Sequence, residues 1–160
     1  MNIKIIFAGD GGQGLQTIAN LLTQTAFANG FYVTDIPNFG LEQRGGVSLA
    51  FVQISNKEIV YPRFTKPDIL LIMSEQARER TQHYIEDAEV LYIEDYLENF
   101  KQNQIQEQSY NIFFLGLLGK KLADQNIMNL DLLSDSLSKK LSAKIGWEEN
   151  QKAFELGIKY

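Results

Sequence analysis

Apolar residues along this 160-residue chain follow two alternating rhythms. Short, mostly apolar runs at residues 3–8, 31–34, 68–73 and 89–93 predict strands. The first is rich in β-branched residues and stops abruptly at Gly9, the pattern of a strand buried on both faces of a parallel sheet. After it, Leu15, Ile18, Ala19, Leu22 and Ala26 line one stripe of a helix, and Gly30 follows as its C-terminal stop. Residues 75–85 are helix-prone and continue the α/β alternation.

Two stretches break that rhythm. Residues 35–46 hold Pro37, Asn38, Gly40, Gly45 and Gly46 and predict a loop. Residues 47–54 are extended in pattern, Asn56-Lys57 interrupts them, and 58–61 resume before Pro62, which predicts a hairpin and so a mixed sheet. Beyond about residue 95 the character changes. A polar, Gln-rich stretch at 101–109 predicts a surface loop, and helices follow near 112–123, 130–143 and 148–157. The expected fold class is a Rossmann-like three-layer α/β/α domain with a mixed, mostly parallel sheet and a helical C-terminal part. No repeat, Pro-rich linker or second core divides it, so residues 1–160 are expected to form one domain.

The segment Gly9-Asp10-Gly11-Gly12-Gln13-Gly14 carries the spacing G-x-G-x-x-G between a predicted strand and a predicted helix. Glycines there permit positive φ and close backbone approach, while free N–H groups and the helix dipole attract a phosphate. The same spacing also serves a tight turn that binds nothing. Asp35, about twenty residues after Gly14, stands where a dinucleotide-binding fold places its ribose-binding acid. A second glycine-rich stretch, Asn38 to Gly46, contains Arg44 beside Gly45 and Gly46. In an open α/β sheet it faces the same edge as the first loop, and a guanidinium there suits bidentate binding of phosphate or carboxylate.

Composition narrows the field. With 44% hydrophobic and 22% charged residues the chain is ordinary for a globular protein, and its net charge of -5 speaks against the basic footprint of a nucleic-acid binder. No cysteine is present, which excludes thiolate-held clusters within these residues. The first apolar run is too short for a signal peptide and no spanning segment follows, so the expected location is the cytoplasm, away from the membrane. The single histidine, His83, has no second imidazole near it, and Glu94, Asp95 and Glu98 read as a solvated face.

Taken together, Gly9-x-Gly11-Gly12-Gln13-Gly14 with Thr17, Gly40-x-x-x-Arg44-Gly45-Gly46, Asn111 and Gly116, and Asn150-x-x-Ala153-Phe154-x-x-Gly157 resemble the gamma subunit, or gamma domain, of 2-oxoacid:ferredoxin oxidoreductases. The resemblance implies one part of a multi-subunit enzyme that oxidatively decarboxylates a 2-oxoacid, passes electrons to ferredoxin and forms an acyl-coenzyme A, with no turnover by this chain alone. It implies alpha and beta partner subunits, a delta subunit where the enzyme has one, and a homodimer as the form open to an isolated chain. Thiamine diphosphate and iron-sulfur clusters are then expected on the partners, and no catalytic or metal-ligating residue here. The cofactor-facing set it implies, toward coenzyme A, is Gly9, Gly11, Gly12, Gln13, Gly14, Thr17, Asn38, Arg44, Gly45 and Gly46, with the late helices as packing surface for partners. A small NAD(P)- or flavin-binding protein using Asp35, and a docking domain whose glycine loops bind nothing, are the competing readings.

Overall fold

The computed structural model of the chain describes residues 1–39 and 46–160. Strands β1 (Asn2–Asp10), β2 (Tyr32–Phe39), β3 (Val47–Ser55), β4 (Ile69–Ile72) and β5 (Glu89–Tyr92) form one sheet in the order β2-β3-β1-β4-β5. β1, β4 and β5 pair in parallel, whereas β3 is antiparallel to both β1 and β2. β3 therefore runs against its four companions, and the sheet is mixed as expected, through a different strand pairing. Helices α1 (Leu15–Ala28), α2 (Glu75–Thr81), α3 (Leu97–Gln102), α4 (Tyr110–Asp124), α5 (Leu130–Leu141) and α6 (Trp147–Lys159) cover its faces.

The expected hairpin between 47–54 and 58–61 does not form. β3 pairs instead with β2, which continues past Thr34 through Pro37 to Phe39, and residues 58–61 lie outside any strand. Pro37 signals a loop in sequence, yet β2 is an edge strand, where a missing N–H costs no ladder bond. Residues 35–39 of the predicted loop thus belong to β2, and 40–45 lie outside the described residues. The helix expected at 75–85 is also shorter, ending as α2 at Thr81 with a 3-10 turn over Gln82–Tyr84.

β1 is buried on both faces, and its alternation divides the core. Ile5 and Phe7 join α1 and the helices after β5 in the larger cluster, while Ile6 and Ala8 join Ala77 of α2 in the smaller one. The three layers are therefore unequal. On the thick side, α4 is spent internally: Ile112, Phe113, Phe114, Leu115 and Leu118 are all buried in the chain's own core. This helix has little face left for a partner. α6 crosses it closely because Gly116 lies against the Phe154 carbonyl and Gly157 against the Phe113 carbonyl, where a Cβ at either glycine would overlap backbone. Phe154 is buried and Trp147 packs against the same cluster, so both aromatics close the end of the fold.

Asp35 does not end its strand. It sits in the middle of β2, opposite Val52, and β2 is separated from β1 by β3, roughly 9–10 Å away across two strand spacings. A ribose-binding acid ends the strand next to β1, so this position does not serve one. Its carboxylate instead accepts hydrogen bonds from Gln16 Nε2 at 2.9 and 3.0 Å. Burial raises the Asp35 pKa and the Gln16 bond partly opposes the rise.

Two outcomes follow from this packing. Gly157→Ala has no backbone-free space to fill and is expected to destabilise the chain by about 1–3 kcal/mol, read as a lower urea midpoint. A carboxyl whose folded pKa is raised adds stability below its unfolded pKa and loses it as pH climbs through the folded value. Asp35→Asn is therefore expected to stabilise the fold at pH 7 by about 1 kcal/mol or less, read as a higher thermal midpoint, with the gain fading toward pH 3. An unchanged or lower midpoint at pH 7 would count against the desolvation account.

Candidate functional site

β1 and β4 are parallel neighbours whose connections leave to opposite faces, α1 toward the larger cluster and α2 toward the smaller. This is the switch point at which open α/β sheets leave a crevice beyond the carboxyl ends of their strands. A cavity of about 640 Å³ lies there. Gly12, Gln13, Gly14 and Thr17 line it from the first loop and α1, and Met73 from the end of β4. Gln106, Gln108, Asn111 and Asn150 close it from the late part of the chain.

The loop is built around the Gln13 side chain. Its Oε1 accepts from the Asp10 N–H at 2.7 Å and its Nε2 donates to the Met73 carbonyl at 3.0 Å, so one carboxamide joins the ends of β1 and β4. A Cβ at Gly9 would occupy the space of that carboxamide. Ser74 Oγ donates to Asp10 Oδ1 at 2.7 Å while accepting from Ala77 N–H at 3.1 Å, which caps α2 and adds a second tie. Gly11 N–H donates to the Gly46 carbonyl at 3.0 Å, bringing the return of the second loop against the first.

Gly12 and Gly14 have φ of 97° and 73°, in the left-handed region where a side chain is strained. Gly14 also makes room for Asn111, whose Nδ2 donates to the Gly14 carbonyl at 3.3 Å. Asn111 is 8% exposed, and its Oδ1 is buried without a partner among the described residues. α1 starts with no side-chain cap and no acid in its first turn, and the same holds for α4. The N–H groups of Gly12, Gly14, Leu15 and Gln16 likewise have no partner among the described residues. Bare amides and the positive ends of two long helices thus meet one cavity, an arrangement that favours an anion.

The expected set separates. Gly12, Gln13, Gly14 and Thr17 come together at the cavity; Gly9, Gly11 and Gly46 shape the loops behind it. Asn38 does not join them. It shares a face with Leu49 and Ile36, opposite to α1, and borders a different cavity with Phe51, Phe64 and Arg63. Its alternation along β2 turns it from the glycine loop. Arg44 and Gly45 lie outside the described residues.

Gln106, Gln108, Asn111 and Asn150 lie outside the cofactor-facing set that the sequence implies. Asn111 and Asn150 carry the family resemblance, which was the available signal; nothing in the polar run at 101–109 marks Gln106 or Gln108. That run is not a plain surface loop, since Ile105 and Ser109 are buried and a 3-10 turn spans Glu107–Ser109. Ser109 Oγ donates to Asn150 Oδ1 at 2.9 Å, and Gln106 N–H donates to Glu149 Oε1 at 2.9 Å, which fix this wall to α6. His83, Glu94, Asp95 and Glu98 are exposed. Among the described residues no group of three or more His, Asp or Glu is placed to hold a metal ion, and no helix is long and apolar enough to cross a membrane.

The chain is similar to known proteins. Over 72 residues the chain is 42% identical to the pyruvate/ketoisovalerate oxidoreductases common subunit gamma of Pyrococcus furiosus, spanning 44% of this chain and 39% of that protein. Over 116 residues it is 34% identical to the 2-oxoglutarate synthase subunit KorC of Methanothermobacter marburgensis, 71% of this chain and 62% of the relative. The chain thus covers well under half the length of the first relative. In fold it matches the keto/oxoacid ferredoxin oxidoreductase gamma subunit of Geobacter sulfurreducens with a TM-score of 0.72 at 22% identity, covering 99% of this chain and 95% of that one. It also matches the 2-oxoglutarate:ferredoxin oxidoreductase of Magnetococcus marinus, with 2-oxoglutarate, coenzyme A and succinyl-CoA bound, at a TM-score of 0.81 and 19% identity, covering 99% of this chain and 30% of that one. The family model of pyruvate ferredoxin/flavodoxin oxidoreductase matches residues 4–116, well over half of the sequence, and the chain belongs to that family.

Proposed function

We propose that this chain is the gamma-type part of a cytoplasmic 2-oxoacid:ferredoxin oxidoreductase and that its cavity at the β1–β4 switch point holds the phosphate portion of coenzyme A. Alpha and beta subunits, with a delta subunit where the enzyme has one, would carry thiamine diphosphate and the iron-sulfur clusters. The assembled enzyme would turn a 2-oxoacid and coenzyme A into an acyl-coenzyme A and carbon dioxide, and pass the two electrons released to ferredoxin. A sequence without cysteine has no thiolate to offer a cluster, in keeping with that division.

The observation that carries the reading is the convergence of two uncapped helix N-termini on one cavity in a member of this family. The residues present suit coenzyme A. Its phosphates match the unpartnered amides of the glycine loop, and the cavity's 640 Å³ falls in the range of small-molecule pockets. Asn111 Oδ1 has no partner of its own, so a donor on the bound molecule would satisfy it. Coenzyme A supplies the thiol that accepts the acyl group. This chain's part is to bind and orient it: Gly12, Gly14 and Leu15 through backbone N–H groups, Thr17 through its hydroxyl, and Arg44 through its guanidinium. Asp35 and Tyr96, whose pKa values the fold raises, both lie outside the cavity lining.

Coenzyme A is expected to raise the thermal midpoint of the purified chain in proportion to the logarithm of its concentration, while NADH leaves it unchanged. Stabilisation by NADH but not by coenzyme A would reject the reading in favour of a dinucleotide protein. Arg44→Ala is expected to weaken coenzyme A about tenfold or more by calorimetry, the scale of one charge-assisted hydrogen bond, with the unliganded midpoint unchanged. An Arg44→Ala chain that binds as tightly as the parent would remove Arg44 from the site.

A further inference from the structure

The cavity that this reading fills with a polyanion has no basic side chain in its described lining and has one carboxylate, Glu107. Helix ends and amides supply only partial charge. A cation beside the described wall would add to what Arg44 is proposed to supply, and Lys140, exposed at the end of α5, adjoins that wall. It is in the last turn of α5 and is followed by Leu141, which lines the cavity wall. Leu133, Leu137 and Leu141 form the buried stripe of α5, and this packing sets the helix against α1. The Lys140 side chain reaches across that seam, where Nζ donates to Asn20 Oδ1 of α1 at 3.3 Å. Asn20 is one helical turn beyond Thr17, which lines the cavity, so the two side chains are neighbours about 5–6 Å apart at Cβ.

Lys140 has no carboxylate partner among the described residues, whereas Lys66, Lys120 and Lys121 each have one. Its single partner is a neutral amide, cheap to exchange for a phosphate oxygen. The favourable placing of a cation at a helix C-terminus explains why basic residues collect at the end of α5. It does not explain why this one lies over α1, while its neighbour Lys139, exposed on the same turn, makes no bond to another side chain among the described residues.

We infer that Lys140 is a phosphate-binding residue of the switch-point cavity, swinging from Asn20 toward Thr17 to contact the anion held at the α1 N-terminus. The inference rests on the coenzyme A reading for the identity of the ligand but not for the placement of the cation. Titration of coenzyme A into the purified chain, at low and high salt, tests it. Lys140→Gln is expected to raise Kd roughly tenfold at low salt, with a smaller effect at high salt, and Lys140→Arg to stay near the parent value. Lys139→Gln, which removes the same charge one residue away, is expected to leave Kd unchanged. A loss that disappears with 3′-dephospho-coenzyme A assigns the contact to the 3′-phosphate, and one that persists assigns it to the diphosphate; both support the inference. Equal Kd values for Lys140→Gln and the parent, or an equal loss in Lys139→Gln, overturn it. Pyrophosphate as a second probe separates the two ideas: binding of pyrophosphate that depends on Lys140, without binding of coenzyme A, defeats the coenzyme A reading and keeps Lys140. A parent chain that takes neither probe defeats both.

Discussion

Everything distinctive about this chain turns on how closely α4 approaches the glycine loop. The Asn111 amide reaches the Gly14 carbonyl, across most of the length of the chain, and it fits only because Gly14 has no side chain to meet it. That contact converts a strand-loop-helix unit into one wall of a cavity whose other wall comes from residues near 106–112 and from Asn150. The α4–α6 crossing at Gly116 and Gly157 places the second wall, because it holds α6, and with it Asn150, against the base of α4. Glycine is thus used twice, once to bend the chain and once to let helices touch.

Within the loop itself the rigid part is a carboxamide. Gln13 satisfies a backbone donor on β1 and a backbone acceptor after β4, so the ends of two parallel strands are held in register by one side chain. Polar groups buried this way stiffen a site because each would be costly to leave unmade. The N–H groups of Gly12, Gly14, Leu15 and Gln16 have no partner among the described residues, which is where the chemistry of anion binding becomes available.

The inverted strand β3 sets this fold apart from a dinucleotide-binding one. By inserting between β1 and β2 it carries Asp35 away from the loop, leaves it hydrogen-bonded to Gln16, and removes the acid that a nicotinamide or flavin nucleotide would need. The same inversion starts β3 beside the first loop, where Gly46 accepts from the Gly11 N–H. One topological change thereby weakens one ligand and suits another.

Local sequence determined the local outcome. The double-sided burial of β1, the apolar stripe of α1, the stop at Gly30 and the left-handed glycines of the first loop all follow from side-chain period and backbone sterics over a few residues, and the quoted motifs placed Gly12, Gln13, Gly14 and Thr17 where they are found. Partners distant in sequence were decided by the tertiary structure alone. Pro37 reads as a loop until β2 proves to be an edge strand; Asn38 reads as a site residue until alternation turns it to the far face; Gln106 and Gln108, exposed as their polarity suggests, line the cavity only because α6 brackets their segment. Neither strand order nor helix crossing is encoded in a window of neighbouring residues. Both arise from which apolar faces the whole chain can bury together, and only that global packing brings Asn111 and Asn150 to the cavity beside the glycine loop and lays Lys140 over α1.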